Sequence, residues 1–287
     1  MKSNYNKFPS TKIKGHEHAA VVGYNNILDT LKKEIPSGKY VITCDVYPGV
    51  RDEEILTELK KLEPSVLINM IDVFKEEKTI TEQLKYILTD ARVFGKMYYG
   101  EVSDFIDMEK LEAAKQQVEK ADGLVIVYGF GASLVHPGDK LVYFDMARWE
   151  IQMRYRAGMG NYKCSNYDED PLRKNKRGFF IEWRIADKHK MSVFEDIDWL
   201  IDTNKANDPK MIPGTALRDA LKSLDVVAGD LDGDGELTDA DIEMLQQYIL
   251  GDLELTEDQM ALMDYDGNGT VDIRDMIQWK KVLLTQA

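Results

Sequence analysis

The strongest constraint on this chain is a segment that occurs twice near its C-terminus. The first copy reads DLDGDGELTDAD from Asp230 and the second DYDGNGTVDIRD from Asp264, an offset of 34 residues. Each runs into an apolar stretch of helical period, Ile242–Leu250 after the first and Met276–Leu284 after the second. Acids at alternate positions of a 12-residue turn make a cage for a hard cation. Calcium takes about six to eight oxygen ligands, which such a loop supplies from its positions 1, 3, 5, 7, 9 and 12. In the first loop these are Asp230, Asp232, Asp234, the Glu236 carbonyl, Thr238 through a water, and Asp241. In the second they are Asp264, Asp266, Asn268, the Thr270 carbonyl, Asp272 through a water, and Asp275. Gly235 and Gly269 stand at position 6, where the chain turns sharply and a Cβ is unwelcome. Leu237 and Val271 at position 8 are expected to join the loops through a short β contact. Both loops close with Asp where the common pattern has Glu, so each must fold more tightly to give two oxygens. The reading calls for two Ca2+ ions. Without them the crowded carboxylates repel, which couples metal uptake to folding.

Charge separates this region from the rest. The chain carries −14, and residues 226–287, with 15 acids and 3 bases, hold −12 of it. Residues 1–225 are close to neutral at −2. No basic stripe interleaved with aromatics suggests a nucleic-acid partner. No apolar run approaches the ~18 residues of a membrane span. Cys44 and Cys164 form no CxxC or Cys/His cluster, so zinc is not expected and two reduced thiols are. The polar stretch from Met1 to Lys14 lacks the apolar core of a signal peptide, so either the chain is cytoplasmic by that criterion or a leader has been left off.

The larger region, residues 1–224, alternates short β-rich runs with amphipathic stretches. Strands are expected at Tyr40–Cys44, Val66–Ile71, Leu124–Val127, Leu141–Phe144, Phe179–Trp183 and Trp199–Ile201. Helices are expected at Asp52–Lys61, Met108–Lys120 and Met146–Arg156. Such alternation implies an α/β fold, a mostly parallel sheet with helices on both faces. Asp168–Arg177, with Pro171, reads as a loop or mobile lid. Residues 225–229 form a joint to the C-terminal domain, 230–287.

The strand–loop–helix at Tyr40–Lys61 stands where a nucleotide-binding fold of the P-loop NTPase type carries GxxxxGK[ST]. Here the stretch is DVYPGVRD. Asp45 and Val50 replace the two glycines, Arg51 falls at the lysine and Asp52 at the hydroxyl position. Two bulky residues and two carboxylates oppose anion binding, although Arg51 is a candidate phosphate ligand. Gly129, Gly131 and Ser133 follow the most apolar strand, where open α/β sheets place their ligands. Arg148, Arg154 and Arg156, with Arg173, Lys174, Lys176 and Arg177, form either an anion clamp for a phosphorylated small molecule or a solvated basic face. His16 and His18, as a lone HxH, read as surface or packing residues, and Trp149, Trp183 and Trp199 as core or edge aromatics.

The C-terminal region resembles a type I dockerin across residues 229–287, on its Asp-ended loops, its duplicated loop-plus-helix unit and the lack of a full-length preceding helix. The resemblance implies a small all-α module of three helices that binds a cohesin domain on a scaffold protein in a cellulosome-type, extracellular assembly. It also implies partner contacts from loop positions 10 and 11 and the following helix. These fall on Asp239, Ala240, Gln246, Gln247 and Leu250 in the first copy, and on Ile273, Arg274, Lys280, Lys281 and Leu284 in the second. The sets differ in charge and apolarity, so one binding orientation is expected to be preferred.

Residues 1–224 are similar to the N-terminal domain of long bacterial class I mannose-6-phosphate isomerases, on NYNKFPSTKI from Asn4, DVYPGVRDEE, GLVIVYGFGASLV, FDMARWEIQMRYR, KRGFFIEWRIADKHK and DWLIDTN. They are more distantly similar to uridine kinase and phosphoribulokinase, with Tyr128 where a kinase strand carries an acid. The isomerase's metal-binding cupin half does not occur in this sequence. Together these readings give a calcium-dependent docking protein with a non-catalytic, kinase-like cargo domain. The alternatives are a tethered nucleoside or phospho-sugar kinase, a ligand-binding domain related to the isomerase, and a protein whose larger domain is gated by calcium.

Overall fold

The computed structural model describes residues 13, 15–222 and 227–286. The NYNKFPSTK stretch from Asn4 and residues 225–226 of the joint lie outside the described residues. Two compact units fall within residues 16–217 and 218–287.

In the larger unit one sheet holds seven strands: β1 (Val21–Val22), β2 (Tyr40–Val46), β3 (Val66–Asn69), β4 (Leu124–Gly129), β5 (Lys140–Asp145), β6 (Trp199–Asp202) and β7 (Lys210–Pro213). Between them run α1 (Tyr24–Glu34), α2 (Asp52–Leu59), α3 (Met70–Val73), α4 (Glu77–Leu88), α5 (Met108–Lys120), α6 (Arg148–Arg156), α7 (Pro171–Arg177) and α8 (Trp183–Val193), and α9 (Gly214–Lys222) follows β7. The strand order is β1-β7-β6-β5-β2-β4-β3. From β6 to β3 all neighbours are parallel, and β7 and β1 add an antiparallel edge.

The parallel part follows from continuous apolar runs. Every residue of β4, LVIVYG, is buried, as are six of the seven in β2. Successive side chains point to opposite faces, so both faces of the sheet are covered. Helix α5 shows the matching logic at period 3.6. Asp107 accepts hydrogen bonds from the N–H groups of Glu109 and Lys110 at its start, and Leu111, Ala114 and Val118 turn inward.

Several expectations fail for physical reasons. Phe179–Trp183 is not a strand. Residues Gly178–Glu182 form a wide helical turn between α7 and α8. A Cβ on Gly178 would come within 2.7 Å of the Trp183 ring, so this aromatic-rich run packs as a helix only because that position is bare. The lid expected over Asp168–Arg177 is largely α7, with Asp170 accepting from Leu172 N as its cap and Pro171 in the first turn. The strand from Val66 stops at Asn69, whose side chain caps α3. The short β1 and β7 carried too few residues to show a period.

The chain leaves the C-terminal ends of neighbouring strands β2 and β5 in opposite directions. From β2 it passes through α2 to β3 at the far edge, and from β5 it passes through α6 to α8 to β6 on the other side. That divergence opens a crevice above the strand ends, the usual place for a ligand in an open α/β sheet.

The C-terminal unit contains α10 (Asp239–Leu250), α11 (Glu257–Met263) and α12 (Ile273–Gln286). Its core is Leu231, Leu237, Ile242, Leu245, Met263 and Trp279. Trp279 meets the Tyr265 ring edge-on at 5.0 Å and donates from Nε1 to the Met263 carbonyl at 2.9 Å. Leu237 is buried and Val271 packs against the same cluster, but neither lies in a strand, so the expected β contact is replaced by side-chain packing.

Candidate functional site

The C-terminal loops gather oxygen. In the first, carboxylate oxygens of Asp230, Asp232 and Asp234 lie within 4.8 Å of one another, and in the second those of Asp264, Asp266 and Asp275 do so. Local bonding folds the chain this way. Asp230 accepts from the N–H groups of Gly233, Asp234 and Gly235 at 2.7, 3.2 and 2.8 Å. Asp264 accepts from Asn268 and Gly269 at 3.1 and 2.7 Å. Gly235 and Gly269 have φ of +94° and +83°, the left-handed turn that position 6 requires.

The closing acids are the most enclosed. Asp241 and Asp275 are 0% and 1% exposed. Asp241 accepts from Leu231 N, Asp232 N, Thr238 N and the Thr238 hydroxyl, so one carboxylate both shuts the loop and caps α10. Asp275 accepts from Tyr265 N at 2.9 Å and Asp272 N at 2.8 Å. At position 7, Glu236 and Thr270 donate their N–H groups to Asp234 and Asn268. Asp232 shows the cost of the crowding. Burial and the neighbouring carboxylates of Asp241, Asp234 and Asp230 push its carboxyl up. An all-oxygen donor set with surplus negative charge fits a hard divalent cation and not a soft one.

All ten residues expected to meet a partner are exposed. Asp239, Ala240, Gln246, Gln247 and Leu250 lie on α10, and Ile273, Arg274, Lys280, Lys281 and Leu284 on α12.

In the larger unit a cleft of about 740 Å³ lies beyond the C-terminal ends of β2 and β3. Its walls are the turn after β2 with the first turn of α2 (Gly49–Glu54), the residues Ile71, Glu76 and Glu77, and positions 159–165 and 167 between α6 and α7. Arg51 reaches it, with Nη2 paired to Glu150 at 3.3 Å. The other residues expected to bind a ligand do not converge there. Arg154 is buried and bonded to Glu150 Oε1 and to the carbonyls of Gly49, Thr203 and Asn204, so it ties α6 to two turns. Arg148 pairs with Asp187. Gly129 and Gly131 shape the turn after β4, and Ser133 donates from its hydroxyl to Asp45 at 2.9 Å.

The basic run of α7 is neither a clamp nor a solvated face. Lys174 bonds the carbonyls of Tyr155, Met159 and Tyr167, Lys176 those of Thr89 and Ala91, and Arg177 pairs with Glu182 at 2.8 Å, all three buried. The acceptors of Lys176 lie 87 and 85 residues away, which no local pattern displays.

Sequence reasoning also missed the centre of the sheet. Asp45 at the end of β2 is fully buried and accepts from Val46 N, Gly131 N, Ser133 N and the Ser133 hydroxyl. His189 Nε2 lies 2.7 Å from Asp45 Oδ2 and 3.2 Å from Ser133 Oγ. Burial opposes the imidazolium, but the Asp45 carboxylate outweighs it and holds His189 above its ordinary range. Serine and aspartate meet the same ring nitrogen, whereas a nucleophile relay needs them on opposite nitrogens. Nearby, the buried Tyr128 hydroxyl donates to Asp52 at 2.7 Å, and burial pushes the Asp52 carboxyl up despite that bond.

An α/β sheet unit is thus followed by a calcium-loop module, and residues 228–284 match the type I dockerin domain, to which calcium binding and cohesin docking belong. Residues 23–225 match a domain of unknown function, DUF8485, and the chain belongs to that family. No curated protein matches the chain. Among solved structures it is similar to a shikimate kinase from Bacteroides thetaiotaomicron, with a TM-score of 0.36 and 13% identity over 59% of this chain and 89% of that one.

Proposed function

We propose that this protein docks through its C-terminal unit onto a cohesin of a scaffold protein, in a cellulosome-type assembly, and carries residues 1–224 as non-catalytic cargo. Two calcium ions complete the docking surface. One is held by Asp230, Asp232, Asp234, the Glu236 carbonyl and Asp241, the other by Asp264, Asp266, Asn268, the Thr270 carbonyl and Asp275. The observation that carries the reading is the repeated convergence of carboxylates at two equivalent loops, each running into a helix with an exposed face. Burying that face on a partner requires the helices to be fixed, and the metal supplies the fixing.

The non-catalytic reading rests on the sheet's own chemistry. The N–H groups that converge at the end of β2 are consumed by the Asp45 carboxylate, so the protein fills its own anion site. The first turn of α2 carries Asp52, Glu53 and Glu54, which already oppose the positive end of the helix dipole. A phosphate arriving there meets acids.

Isothermal titration of the full chain against a panel of cohesins, in millimolar calcium and then in excess chelator, tests the docking role. Binding in calcium, loss in chelator and recovery on adding calcium back are expected. Equal binding in both conditions, or none to any cohesin, overturns it.

A further inference from the structure

Asn268–Gly269 is the only Asn–Gly pair in the sequence, and it stands at positions 5 and 6 of the second loop with both residues exposed. The backbone nitrogen that follows an asparagine can attack its side-chain amide, and glycine, with no Cβ, lets that nitrogen approach most freely. Three contacts prepare the attack here. The Gly269 N–H donates to Asp264 Oδ2 at 2.7 Å, so a carboxylate stands on the proton that the nitrogen must lose. Asn268 Oδ1 accepts from the Thr270 N–H at 2.9 Å and from the Thr270 hydroxyl. Those donors fold the side chain back along the Gly269 peptide. They also point at the oxygen on which negative charge gathers as the amide carbon becomes tetrahedral. The first loop has Asp234 and Gly235 at the same positions. An ionised carboxylate is a poor target for a nucleophile, so only the second loop carries this chemistry.

We propose that Asn268 is a self-modification site, deamidated by its own loop and guarded by calcium. The Gly269 nitrogen bonds to Asn268 Cγ, and its proton passes through the Asp264 carboxylate to the amide nitrogen. The Cγ–Nδ2 bond breaks, ammonia leaves and a five-membered succinimide remains. Water then opens the ring at either carbonyl, giving aspartate or isoaspartate. Aspartate reproduces the Asp234 of the first loop. Isoaspartate routes the main chain through Cβ, which lengthens the loop by one carbon and takes Asp264 and Asp266 out of register with Asp275. The guarding rests on the calcium reading above, in which Asp264 and Asn268 are ligands. An ion held there occupies the proton acceptor and pins the amide oxygen.

The test ages the full chain in warm, mildly alkaline buffer, in excess chelator or in millimolar calcium. Each asparagine is then followed by peptide mass spectrometry, with isoaspartate assayed separately. Exposed Asn207, followed by Asp208, is the internal reference. Asn268 is expected to convert ahead of Asn207, and at least ~10-fold faster in chelator than in calcium. Thr270→Val, which removes the hydroxyl donor, is expected to slow conversion in chelator by about 3-fold. Calcium titration of the aged samples should show the second loop's uptake falling as isoaspartate accumulates. Self-modification at Asn268 is overturned if the residue keeps its amide in chelator, if it converts no faster than Asn207, or if Thr270→Val converts as fast as the parent. Calcium that binds the fresh chain yet gives no protection overturns the guarding. A fresh chain that takes up no calcium overturns the docking reading instead, while the conversion in chelator is still decided by its own mapping.

Discussion

Asp241 and Asp275 hold the same place in two copies of one loop, yet the halves around them are built differently. The first half is drawn tighter. Asp230 is 8% exposed and accepts three backbone N–H groups, while its counterpart Asp264 is half-buried and accepts two. Its outer helix face is mostly polar and acidic, with Asp239, Glu243, Gln246 and Gln247, and carries the exposed Leu250 at its end. The second half presents Ile273 and Ile277, 53% and 46% exposed, beside Arg274, Lys280 and Lys281. On the docking reading proposed above, the first half serves as frame and the second as an apolar, cationic contact surface. The physical reason is that a contact face is free to change its chemistry while the loop that positions it is not.

The largest effect expected from this contrast is on stability. Asp241→Ala strands the N–H groups of Leu231, Asp232 and Thr238, at about 1–3 kcal/mol for each buried unsatisfied group. Asp275→Ala strands fewer at short distance. In calorimetry of the full chain in calcium, the transition of the C-terminal unit should lose roughly 3 kcal/mol or more in the first variant and roughly 1 kcal/mol less in the second. Equal losses would erase the distinction between frame and face.

Next comes partner binding. Lys280→Glu with Lys281→Glu should weaken cohesin binding by about 10-fold or more, because it reverses charge beside the exposed isoleucines. The equivalent first-half change, Gln246→Glu with Gln247→Glu, should cost less than about threefold. The reverse ranking would assign the contact face to α10. The smallest effect concerns Arg274, which pairs with Asp272 at 2.8 Å on the exposed edge of the second loop. Arg274→Ala should change calcium affinity by less than about twofold, since exposed pairs contribute little. A larger change in a calcium titration would make Arg274 part of the frame.

What could be read in advance divides along the same physical line. The calcium loops were legible because their chemistry is local, with ligands, glycine and helix start all within twelve residues. Strands β2, β4, β5 and β6 were legible as apolar runs, and α5 by its period. Gly178–Glu182 misled because Phe and Trp favour strands on average, whereas here Trp183 folds back over Gly178. The partners of Lys176 and Asp45 were beyond reach for another reason. Lys176 meets carbonyls 85 and 87 residues away, and Asp45 meets His189 across 144. No periodicity records contacts of that span. A buried base satisfied by carbonyls looks, in sequence, the same as a solvated one.

The Asp45 carboxylate gives the larger unit a permanent occupant at its strand ends. The N–H groups that gather there are therefore satisfied from within the chain. In the loops of the C-terminal unit the converging carboxylates call instead for a cation from outside the chain. On the docking reading, the C-terminal unit alone answers to dissolved calcium, and with it the readiness of the chain to meet a cohesin.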